Sequence, residues 1–459
     1  MSSLHHFCRQ SIMPVDLTTL FAWHERPGAL ERLIPPWDPL QVVKKDNHIK
    51  KGARVTLRMQ VGPIPLAWQA LHTDYEPLAF FRDEQQRGPF RSFIHTHRFL
   101  PGPHQHAILQ DTIEYQLPLG PLGNLLQPFI QRQLSRTFHY RHHILHQDLL
   151  AHGTGRQKPL TFLISGAAGV VGRSLVPFLT SGGHRVIRLV RRQASGPDEI
   201  FWDPEQGILE LDQLEKLDVV IHLAGENIAG HRWTMAKKKR IIESRTKGTG
   251  LLARRIAARR QKPQAFLSAS AIGFYGDRQD QIVTEADPMG NDFISHVCAE
   301  WEAATRPVAQ VGIRLVQMRI GIALTPKGGA LKTILGPARL GLIGPLGSGS
   351  QYMSWLSIND LIWAIHHVAM TETLHGPVNI CGPEPLTNSD FCRILAAKIG
   401  RVCLPAIPAW LLRLRFGEMA NEIPLASTRV QPRKLLASGF CFRSPCLDTA
   451  LDYLLGTME

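Results

Sequence analysis

The stretch that decides the fold of this chain is Thr161-Phe-Leu-Ile-Ser-Gly166-Ala-Ala-Gly169-Val-Val-Gly172-Arg-Ser-Leu175. It has the pattern of a short hydrophobic strand, a turn with a glycine at every third position, and the start of a helix. Such glycines permit a tight turn, a close backbone approach to a pyrophosphate, and close packing of helix on strand, so that the helix N-terminus faces the anion. The pattern predicts a dinucleotide site, whose turn residues are Gly166, Gly169, Val170, Val171 and Gly172.

Alternating strand and helix patterns continue beyond this turn. A helix is predicted from Gly172, and a basic helix reaches about residue 262. The strand-like runs are Leu160–Ser165, Arg185–Val190, Val219–Ala224, Ala265–Ser270 and Arg314–Arg319. Strand-helix alternation predicts an α/β Rossmann-type doubly wound parallel sheet covered on both faces.

The end of the second strand suggests which dinucleotide binds. Arg191 and Arg192 stand where an NAD enzyme normally has an acidic residue for the ribose 2′-hydroxyl. Arginine suits a 2′-phosphate instead, which favours NADP over NAD. Two solvated arginines of a basic protein are the alternative interpretation.

The first part of the chain has a different composition. Fourteen of the 21 histidines precede residue 153, and a short polar stretch with Gly and Pro follows at residues 152–159. Period-2 segments at Ala53–Gln60, Phe90–Phe99 and Ala107–Gln116 lie between helical patterns near 16–33 and 124–150. We therefore expect an α+β domain with an antiparallel sheet at residues 1–152, joined by a linker to the second part.

Composition and charge exclude several classes of protein. The 459 residues are 44% hydrophobic and 20% charged, which is ordinary globular composition, and the net charge of +14 favours anionic partners. The seven cysteines contain no Cys-x-x-Cys pair, so a disulfide framework is not expected. No run approaches the roughly 18 apolar residues of a membrane span, and the first residues lack a secretory pattern. A soluble, cytoplasmic protein is the expectation.

The basic helix could also suggest nucleic-acid binding. Residues 232–262 hold twelve Lys or Arg and one acid, Glu243. No aromatic ladder accompanies these charges, so a solvated helix face, with Arg245 reaching a cofactor phosphate, explains them more simply. We expect no nucleic-acid partner.

The second part resembles the extended short-chain dehydrogenase/reductase superfamily, and within it an atypical branch called epimerase-family or sugar-nucleotide-epimerase-like proteins. The segments that carry this likeness, beside Gly166–Gly172, are Ile221–Ile228, Arg232-Trp233, Ile242–Thr249, Ser268–Gly276, Val297–Glu302, Arg319–Ile322, Gly328–Gln351, Trp355–Leu361 and the tail Pro408–Leu455. The resemblance implies an NADP-binding domain at 160–400 and the family's tail domain at 405–457. It also implies that Leu223, Ala224, Arg245 and Ala323 line the cofactor site with the glycine turn and Arg191.

The catalytic pattern of that superfamily is incomplete here. Its members pair a Ser or Thr with Tyr-x-x-x-Lys, in which the lysine lowers the tyrosine pKa for proton transfer. Ser270 occupies the serine position, but the chain reads Asp292-Phe-Ile-Ser-His-Val-Cys298 where tyrosine and lysine should stand. Tyr275, His296 and Cys298 are possible substitutes, although each also has a structural interpretation. Ser270 and Tyr275 are the predicted catalytic residues.

The first part resembles the helix-grip lipid-transfer and polyketide-cyclase superfamily, through Phe21–Pro39 and the order of elements. The resemblance implies a sheet wrapped around a long helix, with an apolar cavity and a bulky apolar ligand. His139, His142, His143 and His146 share one side of that helix, but no carboxylate or thiolate completes a metal site, and Arg136 and Arg141 suggest a solvated face. No metal is expected.

Together these features imply an oxidoreductase or epimerase-like protein that transfers hydride at a carbonyl or carbinol carbon. Its small-molecule substrate is an unidentified carbonyl compound or nucleotide-sugar-like molecule. The alternative is a non-catalytic NADP-sensing or NADP-binding protein, because the tyrosine and lysine are absent. A nucleic-acid-binding or division-control protein is the third hypothesis and ranks last. The sequence leaves the oligomeric state open.

Overall fold

The computed structural model describes residues 3–61, 64–118, 120–153, 158–228 and 232–458. Part of the predicted linker, residues 154–157, lies outside the described residues. The chain divides into two compact units. The N-terminal unit comprises residues 1–159 with 177–183 and 455–459, and the C-terminal unit comprises residues 160–176 with 184–454.

An antiparallel sheet forms the body of the N-terminal unit. Its strands are β1 Leu4–Met13, β2 Gln41–Lys45, β3 Arg54–Val61, β4 Ile64–Glu76, β5 Phe80–Arg87, β6 Ser92–Pro101 and β7 Ala107–Gln116. They lie side by side in the order β1-β7-β6-β5-β4-β3-β2. Along β7 every second residue is buried, as the alternation in its sequence predicts.

The helices of this unit are α1 Leu17–Glu25, α2 Ala29–Leu33 and α3 Gln127–His152, with 3-10 turns at Pro103–Gln105 and Gly120–Leu126. Asp16 caps α1, since its carboxylate accepts a hydrogen bond from the Thr19 N–H at 2.8 Å. Leu145 and Leu149 of α3 share a core cluster with Phe21 and Phe99. The α+β class with an antiparallel sheet, which the sequence predicted, is confirmed.

The rest of the chain alternates strands and helices. Its strands are β8 Thr161–Ser165, β9 Arg185–Val190, β10 Glu199–Asp203, β11 Ile208–Leu209, β12 Val219–His222, β13 Ala265–Ala271, β14 Ile282–Val283, β15 Arg314–Ile320, β16 Ile322–Leu324, β17 Tyr352–Met353, β18 Trp355–Ser357, β19 Gly376–Ile380, β20 Leu386–Thr387 and β21 Arg429–Val430. Its helices are α4 Val170–Ser181, α5 Met235–Ala257, α6 Phe293–Ala303, α7 Arg306–Ala309, α8 Gly329–Arg339, α9 Ile358–Met370, α10 Asn388–Lys398, α11 Ala409–Phe416, α12 Met419–Glu422, α13 Arg433–Ala437 and α14 Leu447–Leu455, with a 3-10 turn at Ile272–Tyr275.

The main sheet of the C-terminal unit has the order β11-β10-β9-β8-β12-β13-β15-β19. All of its pairs are parallel except β10 with β11. The chain moves outward from β8 to β9 and β10, then returns to place β12 on the other side of β8. The predicted Rossmann-type fold is therefore confirmed, and the strand order reverses between β8 and β12, where ligands bind in such sheets.

The charges of the basic helix α5 have partners within this unit. Lys237 pairs with Glu226 at 2.5 Å, and Lys247 with Glu205 at 2.9 Å. These contacts agree with a helix face stabilised by local ion pairs. Across the part of the chain that is described, we found no helix of the length and hydropathy that crossing a membrane requires.

Candidate functional site

The glycine-rich turn lies at the carboxyl end of β8, at the point where the strand order reverses. Gly166 has a positive φ of 73°, and a Cβ there would lie 2.8 Å from the Leu223 carbonyl carbon. A Cβ at Gly172 would lie 2.4 Å from the Gly166 oxygen. Gly169 donates its N–H to the Gly166 oxygen at 2.9 Å, and Val170 is exposed. The turn is therefore packed tightly on its inner side and open on its outer side.

A buried hydrogen-bond network fixes the loop after β12 beside this turn. The Ser165 hydroxyl oxygen accepts the N–H groups of Leu223 and Ala224 at 3.2 and 3.3 Å and lies 2.6 Å from His222 Nδ1. His222 Nε2 lies 2.8 Å from the Thr249 hydroxyl. Burial lowers the pKa of His222 to about 4, so the imidazole is neutral at neutral pH. Ser165 and His222 therefore hold the loop after β12 against the glycine turn that follows β8.

The two arginines at the end of β9 have different surroundings. Arg192 donates two hydrogen bonds to Glu199 at 2.6 and 2.8 Å, and this pairing, with Ser195, lowers the pKa of Glu199 to about 2. Arg191 is exposed, and no other described residue forms a hydrogen bond or ion pair with it. Of these two arginines, Arg191 is therefore the one whose guanidinium is uncommitted and can bind a phosphate.

Arg245 of α5 is buried and binds backbone. It donates to the carbonyl oxygens of Glu226 at 3.1 Å and Ile241 at 3.2 Å, and its guanidinium lies 4.9 Å from the Trp301 ring centre. These contacts support the loop after β12. Arg245 therefore has a structural role, and its contact with the cofactor stays a prediction. Ala323, in β16, is half-buried.

The loop that follows β16 reaches the glycine turn. A Cβ at Gly328 would lie 2.4 Å from Val170 Cγ2, in the first turn of α4. Because this approach leaves no space for a side chain, the loop closes over one side of the turn. The structure thus brings together the glycine turn, Leu223 and Ala224 after β12, and the loop after β16 at the point where the strand order reverses.

Ser270 and Tyr275 belong to one buried polar network. Ser270 donates its hydroxyl to Glu302 at 2.7 Å, and Glu302 accepts two bonds from Arg319 at 2.9 and 3.0 Å. Arg319 also donates to the Tyr275 oxygen at 3.0 Å, and Tyr275 donates to Asn379 at 2.7 Å. Burial raises the pKa of Tyr275 to about 12, so the phenol keeps its proton at neutral pH.

The other possible substitutes for the missing tyrosine lie on α6. His296 is exposed, whereas Cys298 is buried in a cluster with Ile294 and Val297, and burial raises its pKa to about 12. A buried neutral thiol is a poor acid or nucleophile. Glu302 and Arg319 lie in two of the motifs that carry the family resemblance, but the contact of Glu302 with Ser270 was not predicted from the sequence. The available signal was that Arg319 is the one charged residue of its motif, while the other motif carries two acids, Glu300 and Glu302.

One prediction about the N-terminal unit needs correction. The histidine face of α3 is not simply solvated, because His142 is buried and lies 2.9 Å from the Ser11 hydroxyl and 2.7 Å from Asp111. Arg141, expected to be a surface charge, lines a cavity of about 340 Å³. The long helix turns part of its polar side inward because polar partners on the sheet satisfy it.

Comparison with protein families identifies three stretches of the chain. Residues 162–381 match the NAD dependent epimerase/dehydratase family, residues 407–454 match a domain of unknown function, DUF1731, and residues 13–140 match the polyketide cyclase/dehydrase and lipid transport family. An epimerase family protein of Mycobacterium bovis is 37% identical over 290 residues, which are 63% of this chain and 96% of that relative. Human epimerase family protein SDR39U1 is 34% identical over 296 residues, 64% of this chain and 99% of its own.

Two solved structures are similar in both sequence and fold. A nucleoside-diphosphate sugar epimerase from Corynebacterium glutamicum matches with a TM-score of 0.81 and 30% identity, covering 98% of this chain and 90% of that one. Human SDR39U1, solved with NADPH, matches with a TM-score of 0.61 and 32% identity, covering 65% of this chain and 100% of that one. The match to the Corynebacterium glutamicum structure covers both units, whereas the match to human SDR39U1 covers a length of chain equal to about one unit.

Proposed function

This chain belongs to the NAD dependent epimerase/dehydratase family, as its sequence predicted, and on that premise we propose that its C-terminal unit binds NADP(H) at the turn between β8 and α4. The observation that carries the proposal is the glycine turn. Any side chain at Gly166 or Gly172 would collide with backbone atoms, while the outer side of the turn stays open. Bare backbone at a helix N-terminus fits a pyrophosphate.

Arg191 supports the choice of NADP over NAD. It is the arginine of the pair that lacks a partner among the described residues, and it follows the strand beside β8. A guanidinium there can form charge-assisted hydrogen bonds with a 2′-phosphate. The human relative of known structure was solved with NADPH, which agrees with this assignment.

When bound, NADPH would supply hydride to a carbonyl carbon, and NADP⁺ would take it from a carbinol carbon. Ser270 is the residue that we place at the substrate oxygen. Its proton is donated to Glu302, so a substrate oxygen must compete with a carboxylate that Arg319 already holds. Tyr275 is fully buried, and its contact with Arg319 makes it a positioning residue.

A specific observation also favours a second candidate function, binding of NADP(H) without turnover. Ser270 and Tyr275 both have protein partners, and the chain lacks the Tyr-x-x-x-Lys pair. A protein of this kind would sense the nicotinamide cofactor. The two candidates share the cofactor site and differ only in whether hydride leaves it.

The substrate and the N-terminal ligand are proposed by chemical class. A nucleotide-sugar-like molecule or another small carbonyl compound would be the substrate, in agreement with the sugar epimerase from Corynebacterium glutamicum. The cavity in the N-terminal unit would take a bulky apolar ligand, and this unit matches the polyketide cyclase/dehydrase and lipid transport family. A reducing, cytoplasmic location would suit the seven free cysteines.

Titration of the full chain with NADPH and NADH tests the cofactor proposal. We expect NADPH to bind at least about tenfold more tightly, which corresponds to about 1.4 kcal/mol. Calorimetry or the fluorescence of the reduced nicotinamide measures both affinities. Equal affinities would contradict the choice of NADP, and absence of binding would contradict the site.

The Ser270→Ala variant separates the two candidate functions. If the protein is an enzyme, a screen of carbonyl compounds and nucleotide sugars finds NADPH oxidation, and the variant loses about tenfold or more of it with unchanged NADPH affinity. Turnover that survives in full would overturn the placement of Ser270. NADPH binding without turnover on any substrate class would favour the sensing function, and mass spectrometry of co-purified small molecules would then identify its natural ligand.

A further inference from the structure

A polar patch lies in the wall of the N-terminal cavity, among mostly apolar residues. The side chains that form it within the cavity lining are His72, Asp83, His95 and His97. In the sheet, His95 of β6 stands opposite Asp83 of β5, and His97 stands opposite Asp111 of β7. Three neighbouring strands therefore bring imidazoles and carboxylates together, far along the chain from the nicotinamide site.

Asp111 fixes the orientation of this patch. Its carboxylate is buried and accepts a hydrogen bond from His95 Nε2 at 2.8 Å and from His142 Nε2 at 2.7 Å, and His97 Nδ1 lies 2.6 Å from it. Because an ionised carboxylate only accepts, His95 carries its proton on Nε2 and presents the lone pair of Nδ1 to Asp83. A carboxylate behind a histidine in this way is the usual support of a metal-binding imidazole.

The atoms in front of Asp111 lack a partner that would explain their positions. Asp83 Oδ2 is buried, forms no hydrogen bond with any described residue, and lies 3.6 Å from His95 Nδ1. Two lone pairs that face each other at this distance repel unless positive charge lies between them. His72 is also buried, and its Nδ1 has no hydrogen-bond partner among the described residues.

The distances suit one small cation. Single ligand atoms of Asp83, His95 and His97 all lie within 4.8 Å of one another. Zinc binds nitrogen and oxygen at about 2.0–2.2 Å, so two ligands of a tetrahedral ion are roughly 3.4 Å apart. The separation of 3.6 Å between Asp83 Oδ2 and His95 Nδ1 is close to that value.

We propose that Asp83, His95 and His97 bind a divalent transition-metal ion of the zinc class, with a fourth coordination position open to the cavity. Two imidazoles and one carboxylate are a donor set typical of zinc sites that keep a position for water or substrate. The open position would bind an oxygen atom of a molecule whose apolar part fills the cavity. This site is independent of the NADP(H) site proposed above.

A proton shared by Asp83 and His95 is the other way to relieve their repulsion. Burial raises the pKa of Asp83, which favours its protonated form when no cation is present. The 3.6 Å separation is longer than the 2.7–3.2 Å of an ordinary hydrogen bond, and this favours a cation. The two explanations differ in whether the protein binds metal.

The test uses full-length protein that has been stripped with a chelator and then titrated with Zn²⁺ by calorimetry, with metal content measured after dialysis. We expect one Zn²⁺ ion per chain to bind at this site. When Co²⁺ replaces zinc, we expect the visible spectrum of a tetrahedral centre. Asp83→Asn and His97→Gln should each weaken binding at least about tenfold, because even residues behind a metal ligand contribute 10–100-fold. His106→Gln, which changes an exposed histidine of the same unit, is the matched control.

Thermal unfolding in the presence of chelator shows whether each variant is folded. Asp83→Asn keeps the size of the side chain, so it tests the site even if the histidine variant does not fold. Added Zn²⁺ should raise the unfolding temperature of the wild-type protein and of His106→Gln, and not that of folded Asp83→Asn. Absence of stoichiometric binding by the wild-type protein, or wild-type binding by Asp83→Asn, would overturn the proposal.

Discussion

Arg191 and Arg192 are adjacent in sequence, yet only one of them is available to a ligand. Arg192 is held by Glu199, whereas Arg191 is exposed without a partner in the described part of the chain. We therefore expect Arg191→Ala to weaken NADPH binding about tenfold or more and to leave NADH binding unchanged. Arg192→Ala, the matched control, should keep the NADPH preference, and titration of both variants with both cofactors measures it. A preference that survives Arg191→Ala would refute this assignment.

At the same scale, His222 should make stability depend on pH. Its pKa falls from the ordinary 6.5 to about 4 because it is buried, so between these values the unfolded chain binds a proton that the folded chain does not. The free energy of unfolding should therefore decrease as the pH falls from 6.5 towards 4, by up to about 1.4 kcal/mol per pH unit.

Denaturant unfolding of the wild-type protein and of His222→Gln across this pH range measures the effect. We expect the variant to be less stable at every pH, because it alters contacts to Ser165 and Thr249. Its dependence on pH should nevertheless be shallower by the contribution of one proton. If the two curves of unfolding free energy against pH are parallel, the pKa of His222 does not differ between the folded and unfolded states.

Among the elements, Gly172 of α4 and Gly248 of α5 have opposite requirements. A Cβ at Gly172 would meet the Gly166 oxygen at 2.4 Å, whereas the nearest atom to a Cβ at Gly248, in the Trp202 ring, lies at an ordinary 3.5 Å. We expect Gly172→Ala to push α4 away from the turn, lowering both stability and NADPH affinity.

Gly248→Ala should instead raise the free energy of unfolding by about 0.5–1 kcal/mol, because alanine favours a helix over glycine and the added methyl group makes only ordinary contacts. Thermal unfolding and NADPH titration of the two variants measure both effects. Unchanged cofactor affinity in a destabilised Gly172→Ala would show that the turn does not form the nucleotide site.

Elements were the part of the molecule that the sequence could predict. The glycine turn, the long helix α3 and the alternating strand β7 depend on short-range periodicity, and the structure places them where the sequence did. The network of Ser270, Glu302 and Arg319 joins residues 17–32 positions apart, and no local pattern encodes that contact. The same holds for the polar patch of the cavity, since alternation can place His95 and His97 on one face of β6 but cannot show which carboxylates lie opposite.

For the whole molecule, the predicted boundary at residues 152–159 remains to be tested. A fragment that ends near residue 152 and one that begins near residue 157 should each be soluble and unfold cooperatively, because each contains a self-contained pattern of elements. Circular dichroism during heating and in denaturant measures this. If neither fragment folds, the boundary is wrong or each unit needs the other.

The order of strands in the N-terminal unit has a consequence for the growing chain on the ribosome. Among the strands of this sheet β1 is made before the others, and its partner is β7, so Met13 must wait for Ala107 and Leu4 for Gln116. At a synthesis rate of about 5–20 residues per second, the first strand stays without its partner for roughly 5–20 s. Among the strands of this sheet, β1 is thus the one that a chaperone would hold longest.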